Sequence, residues 1–170
     1  VGLDDVPLYD EVPEDGATFE ANALLKAREG FAHTGLRTIA DDSGLCVAAL
    51  SGMPGIFSAR WSGVHGDDDA NTRLLLAQIH DVPDDRREAS FVCAAAYVDD
   101  EGEFVVRGEM AGVVIREPRG SGGFGYDPIF VPVGQPLTAA ELMPDAKDEL
   151  SHRGHAMRLL VARLAKATKT

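Results

Sequence analysis

Cysteine is scarce in this sequence. Its 170 residues hold only Cys46 and Cys93, far apart and each inside an apolar run. That pattern argues against a disulfide framework and offers no thiolate spacing for a metal. Two buried free thiols in a reducing compartment are expected instead. Long apolar runs are also missing: none approaches the roughly 20 residues that cross a bilayer, and the start lacks a signal-peptide pattern. The expected location is cytoplasmic. Positive charge is short as well, with 16 Lys and Arg against 28 Asp and Glu, a net of −12. A protein that binds duplex nucleic acid normally presents a basic face, so that class is disfavoured. A small anionic substrate stays compatible, provided a few local cations and a metal overcome the general repulsion. Repeats, low-complexity tracts and an interdomain linker are absent, and the length suits one domain with a sizeable core.

What is present alternates helical and strand patterns. "TFEANALLKAREGFAHTG" reads as a helix capped by Thr18 and stopped by Gly35. Phe19, Ala23, Leu24, Ala27 and Phe31 should face the core, with Asn22 and Lys26 together on another face. "LRTIA" predicts a short strand that ends at Asp41 and Asp42, and "LCVAAL" and "IFSARW" follow on either side of a Gly-Pro turn. "DDDANTRLLLAQIHDVP" predicts a second helix, begun by an Asp or Asn cap and stopped before Pro83. "EASFVCAAAYVD" and "EFVVRGEMAGVVIRE" should form a long antiparallel pair. A Gly-rich loop, "PRGSGGFGYDP", leads to the strand "IFVPV". Thr138 and Glu141 have capping-box spacing. A last helix is expected from about Gly154 to Ala167, with Met157, Leu160, Val161 and Leu164 inward. The polar opening, "VGLDDVPLYDEVPEDG", suggests neither helix nor strand. The fold class is α/β with a mixed sheet.

Three stretches could carry chemistry. "IADDSG" sets two carboxylates side by side, which is disfavoured unless water or a cation separates them. Asp, Ser and Gly are turn formers, and carboxylate oxygens are also what Mg2+ selects, so a turn and a metal site both fit. The Gly-rich loop matches neither the P-loop nor the dinucleotide fingerprint. It can be a plain connection, or its Phe124 and Tyr126 can form a stacking platform for a base. "KDELSHRG" offers Lys147, His152 and Arg153 as donors for a base edge or phosphate, or simply forms a solvated link. His33, His65, His80 and His155 stand alone and take no role.

Taken together, "TFEANALLKA", "ADDSGLCVAALSGMPGIFSARWSG", "REPRGSGGFGYDPIF" and "KDELSHRGHAM" resemble, in order and spacing, the inosine triphosphate pyrophosphatase family. Its members are also called non-canonical purine nucleoside triphosphate pyrophosphatases. The resemblance extends over nearly all of residues 10 to 165. It implies hydrolysis of dITP, ITP and XTP to monophosphate and pyrophosphate, with Mg2+, a homodimer and an elongated α/β fold holding the active site in a cleft. By position, Asp42 resembles the general base and a metal ligand, with Asp41 beside it and Glu14 before the helix as the other metal ligands. Lys26 resembles a phosphate-contacting lysine, counted with Asp42 as catalytic. Ser43, Phe124, Gly125, Tyr126, Asp127, Lys147, His152 and Arg153 are similar to the substrate-binding positions.

Family members begin with an apolar strand and a Ser/Thr-x-Asn-x-x-Lys phosphate-binding loop, which this sequence does not supply before Val1. The resemblance therefore implies a single domain over residues 1–170 that is incomplete at its N-terminus. Two alternatives share parts of the pattern: a pyrophosphatase for modified pyrimidine triphosphates, and a nucleotide-binding module without turnover.

Overall fold

Thr18 opens the first helix, α1 (Phe19–Thr34), by accepting a hydrogen bond from the Ala21 N–H, and Gly35 closes it in the left-handed conformation. Both caps are those read from the sequence. Phe19, Ala23 and Ala27 are buried along one stripe, with Leu24 and Phe31 packed beside them. The computed structural model describes residues 2, 5, 6, 9 and 13–167. The expected lack of helix and strand in the opening stretch holds for residues 13–16, and half of its positions lie outside that description.

Among the described residues four strands follow: β1 (Thr38–Val47), β2 (Glu88–Val98), β3 (Glu103–Val114) and β4 (Phe130–Pro132), paired in the order β1-β2-β3-β4. The long β2–β3 pair is antiparallel, as its two alternating runs predict. The α/β class holds. Every strand pair among the described residues is antiparallel, so the parallel part of a mixed sheet is not among them.

β2 is covered on both faces, which explains its nearly unbroken apolar run. Val92, Ala94, Ala96 and Val98 pack under α1. Cys93, Ala95 and Tyr97 point the other way, against Ala156 and Leu160 of the last helix, α4 (His152–Ala167). Farther along that second face, Leu45, Val47, Phe91, Met110 and Val114 form the main core with Leu75 and Ile79. Leu75 belongs to α2 (Asp68–Gln78), which Asp67 caps through the Ala70 N–H. α2 stops well short of Pro83. Buried Arg87 donates to the carbonyl of Ile79 beyond its end, and also to those of Val114 and Ile115.

Several local expectations change. β1 does not end at the aspartates; it runs through them to Val47. "IFSAR" is part of a 3-10 turn over Gly55–Arg60. Glu141 accepts the Thr138 N–H as a capping box would, but the Thr138 hydroxyl is donated to Arg119 O, and no helix follows. "PDAKDEL" forms a short helix, α3 (Pro144–Leu150), so α4 starts at His152. Val161 is 63% exposed rather than inward, because the buried stripe of α4 follows Ala156 and Leu160 four residues apart.

Candidate active site

Side chains alternate across a strand, so neighbours on β1 cannot share a face. Asp42 points toward α1 and is buried. Its Oδ2 accepts from Asn22 Nδ2 at 3.1 Å, and its Oδ1 from Lys26 Nζ at 3.3 Å. The same ammonium reaches Glu14 Oε1 at 2.6 Å. Asn22 and Lys26 lie one helical turn apart, which is how α1 delivers both to one carboxylate.

Asp41 faces the opposite way. Its Oδ2 accepts from Ser43 Oγ at 3.0 Å and from Arg153 through Nε at 3.2 Å and Nη2 at 3.0 Å. Cys93 Sγ lies 3.6 Å from the same oxygen. The expected set of Asp41, Asp42 and Glu14 around one metal therefore does not assemble: the strand separates Asp41 from the other two. Two adjacent carboxylates are tolerated here because each has its own cation on its own side.

The electrostatics follow from these contacts. Burial pushes the Asp42 carboxyl above its ordinary range. Asn22 and Lys26 pull it back, Glu14 adds to the rise, and the net shift is upward. Burial works against the charge on Lys26, but its bonds to Glu14 and Asp42 outweigh that and hold it protonated above the usual lysine value. Cys93 is pushed up to about 11, mainly by burial, so it is an inert thiol.

On the Asp41 side lies a cleft of about 120 Å³. Ser43, Asp68, Phe91, Phe124, Gly125 and His152 are among its lining residues. Phe124 is 64% exposed, its ring free to receive a planar group on a face. Asp127 shapes the loop behind it: Oδ2 accepts the Phe124 N–H at 2.8 Å and pairs with Lys147 Nζ at 2.5 Å. The Lys147 ammonium also stands 5.2 Å from the Phe124 ring centre. Gly123 is required for this arrangement, since it has φ of +74° and a Cβ there would meet the Asp127 carboxylate and the Lys147 ammonium. Tyr126 is buried and donates its hydroxyl to Ser58 O, and burial raises its pKa. Tyr126 and Asp127 thus build the loop, while Phe124 stands out from it.

His152 stacks on Phe91 with ring centres 5.0 Å apart. Burial, helped by the neighbouring Arg153 charge, lowers its pKa to about 4, so the imidazole is neutral at pH 7. Its Nδ1 is buried with no hydrogen-bond partner. His152 also lines the cleft, and its orphaned nitrogen is a polar demand that no described residue meets.

The structure thus sorts the residues read from the sequence into two groups. Glu14, Lys26 and Asp42 meet on the α1 face. Asp41, Ser43, His152 and Arg153 lie on the other, with the Phe124–Asp127 loop and Lys147 across the cleft. Ser43 follows Asp42 directly, so the groups are one residue apart. Three residues here take no site role in the sequence reading: Asn22 and Ser58, which lie inside the segments quoted for the resemblance, and Asp68, which lies outside them. Asp68 Oδ2 accepts the Gly125 N–H at 2.7 Å. A run of three aspartates reads as helix capping, which hides that contact.

Among the described residues no three His, Cys, Asp or Glu side chains are grouped to cage a metal. Glu14 and Asp42 nevertheless converge on one cation, the Lys26 ammonium. Two carboxylates meeting a positive charge fit a hard divalent ion that keeps waters and takes further ligands from phosphate.

Comparison with known proteins shows which family the chain resembles. The sequence profile of the Ham1 family matches residues 1–163. The chain is 66% identical over 166 residues to the dITP/XTP pyrophosphatase of Nocardia farcinica, spanning 97% of this chain and 81% of that protein. A crystal structure of a nucleoside-triphosphatase, or dITP/XTP pyrophosphatase, from Mycobacterium abscessus superposes with a TM-score of 0.82 at 62% identity, covering 96% of this chain and 84% of that one. A HAM1 protein from Coxiella burnetii gives a TM-score of 0.86 at 41% identity, with 92% and 81% covered.

Proposed function

This chain belongs to the Ham1 family, and on that premise we propose that it hydrolyses dITP, ITP and XTP to the monophosphate and pyrophosphate, cleansing the nucleotide pool. The observation that carries the reading is the convergence of Glu14, Lys26 and Asp42 one residue away from an aromatic-lined cleft. A nucleotide seated with its base in the cleft can extend its phosphates toward those three side chains.

Asp42 is the proton acceptor for the attacking water. Its burial raises the carboxyl pKa, which brings it closer to the value suited to a base near neutral pH. Lys26 stays charged and donates to phosphate oxygens as negative charge develops on them. Glu14 and Asp42 would hold Mg2+; when bound, it neutralises phosphate charge and eases deprotonation of water.

Phe124 stacks on the purine, and Lys147, His152, Arg153 and Ser43 supply polar contacts around it. A neutral imidazole can donate or accept, so His152 alone does not tell a 6-keto from a 6-amino group. Arg153 and Lys147 only donate. They suit the 6-keto oxygen of hypoxanthine and xanthine and leave the adenine amino group facing other donors, a mismatch that discriminates steeply when buried. The chain acts as one domain, as a homodimer in the cytoplasm. Among the described residues no helix is long and apolar enough to cross a membrane.

The test is incubation with dITP and MgCl2, with ATP alongside, and measurement of pyrophosphate. Release from dITP well above that from ATP is expected. Binding of dITP with no pyrophosphate would make the protein a nucleotide-binding module instead.

A further inference from the structure

Asn22 has no exposed surface. A buried amide is costly unless both its ends find partners. Its Oδ1 accepts the Gly16 N–H at 2.8 Å, and its Nδ2 donates to Asp42 Oδ2 at 3.1 Å. These partners belong to the two pieces of chain that carry the converging carboxylates. Gly16 lies two residues beyond Glu14, and Asp42 is in the middle of β1. The fit is close, because a Cβ at Gly16 would land on the Asn22 carbonyl oxygen.

Lys26 also links Glu14 and Asp42, but through a long side chain with many rotamers. Asn22 has two side-chain torsions and is enclosed. With Oδ2 taken by Asn22 and Oδ1 by Lys26, the Asp42 carboxylate has one orientation.

We propose that Asn22 is a positioning residue, whose amide fixes the rotamer of Asp42 and sets the spacing between β1 and the segment bearing Glu14. This rests on Asp42 being the proton acceptor. Asn22 has no exposed surface from which to meet the nucleotide, so its contribution belongs to kcat and not to dITP binding.

Asn22→Asp tests it with almost no change in shape. The new carboxylate still accepts the Gly16 N–H but opposes Asp42 with an acceptor in place of a donor. Pyrophosphate release from dITP should fall in kcat by about a hundredfold, as expected for a misplaced reacting group, while KM stays within about threefold. The melting temperature should also fall. Adding Asp42→Asn exchanges the donor and acceptor ends of the contact. That double variant should regain the melting temperature lost by Asn22→Asp alone, although it remains inactive. A kcat within about threefold of wild type, or a loss confined to KM, overturns the proposal. So does a double variant that melts no higher than Asn22→Asp. A wild-type chain inert toward dITP would instead overturn the functional reading, and the melting cycle would still decide whether Asn22 holds Asp42.

Discussion

Asp41 and Asp42 are consecutive in the chain, yet their carboxylates stand on opposite faces of β1, one held by Arg153 and the other by Lys26 and Asn22. The strand keeps the like charges apart and assigns them different work. Only Asp42 is on the side of Glu14.

Asp42→Asn should therefore lower kcat by about a thousandfold, in the range of a lost general base, with little change in dITP affinity. The fold should survive, since the amide oxygen can still accept from Asn22, and Lys26, which loses its second acceptor, keeps Glu14 as a partner. Steady-state pyrophosphate release and a thermal melt check both halves. Near-normal turnover would show that the proton goes elsewhere.

The division of labour between the two faces also predicts how each acid responds to metal. Glu14→Gln should raise the Mg2+ concentration needed for half-maximal rate by about tenfold, because one of two charged oxygen donors is lost. Asp41→Asn should leave that concentration unchanged and raise KM for dITP instead, by about tenfold for a weakened charge-assisted contact that steadies Arg153. EDTA should abolish turnover of the wild type. A shift in Mg2+ requirement for Asp41→Asn would return Asp41 to the metal site.

His152 makes a pH signature. Its pKa is lowered to about 4 in the folded protein by burial and by Arg153, against 6.5 for an ordinary histidine. The unfolded chain therefore takes up this proton first as pH falls. The contribution of the neutral imidazole to stability is complete above pH 6.5, declines from there toward pH 4, and changes no further below it. The loss should amount to about 1–3 kcal/mol, allowing for partial exposure. Denaturant melts of wild type and His152→Gln between pH 7 and 4 should diverge by that amount. Imidazole NMR should place the titration well below pH 6, and a midpoint near 6.5 would refute the buried neutral ring.

Much of this architecture was legible from local signals. α1 carries its own punctuation in Thr18 and Gly35, and the β2–β3 pair announces itself by alternation and length. β1 is disguised at "ADDSG" because Asp, Ser and Gly are turn formers and rare inside strands. What satisfies them is distant: Asp42 is partnered by α1, and Asp41 by Arg153, 112 residues away. The sides taken by Asp41 and Asp42 follow from strand alternation, but only once the strand is known to continue. Asn22 was visible only as a helical neighbour of Lys26, and Asp68 was hidden within a run of capping acids. Residue types that match a site can be found in sequence; the residues that hold them in place depend on contacts the sequence does not display.

The Gly-rich loop supplies a comparison between two glycines. Gly123 and Gly125 both have positive φ, +74° and +61°. A side chain at either carries the backbone penalty of the left-handed region, roughly 1–2 kcal/mol. Their surroundings differ. A Cβ at Gly125 has no atom within 4 Å, whereas one at Gly123 collides with the Asp127 carboxylate and the Lys147 ammonium. Gly125→Ala should therefore cost the backbone penalty alone, and Gly125→Asn less, because Asn tolerates this conformation. Gly123→Ala must also push apart the Asp127–Lys147 pair, which holds the Phe124 N–H and keeps the ammonium by its ring. It should raise KM for dITP by about tenfold beyond the effect of Gly125→Ala, since a charge-assisted contact of some 1.5–3 kcal/mol is disturbed. Side-by-side KM and melting measurements on the two alanine variants decide it. Equal behaviour would mean that the ion pair under the loop has no part in presenting Phe124.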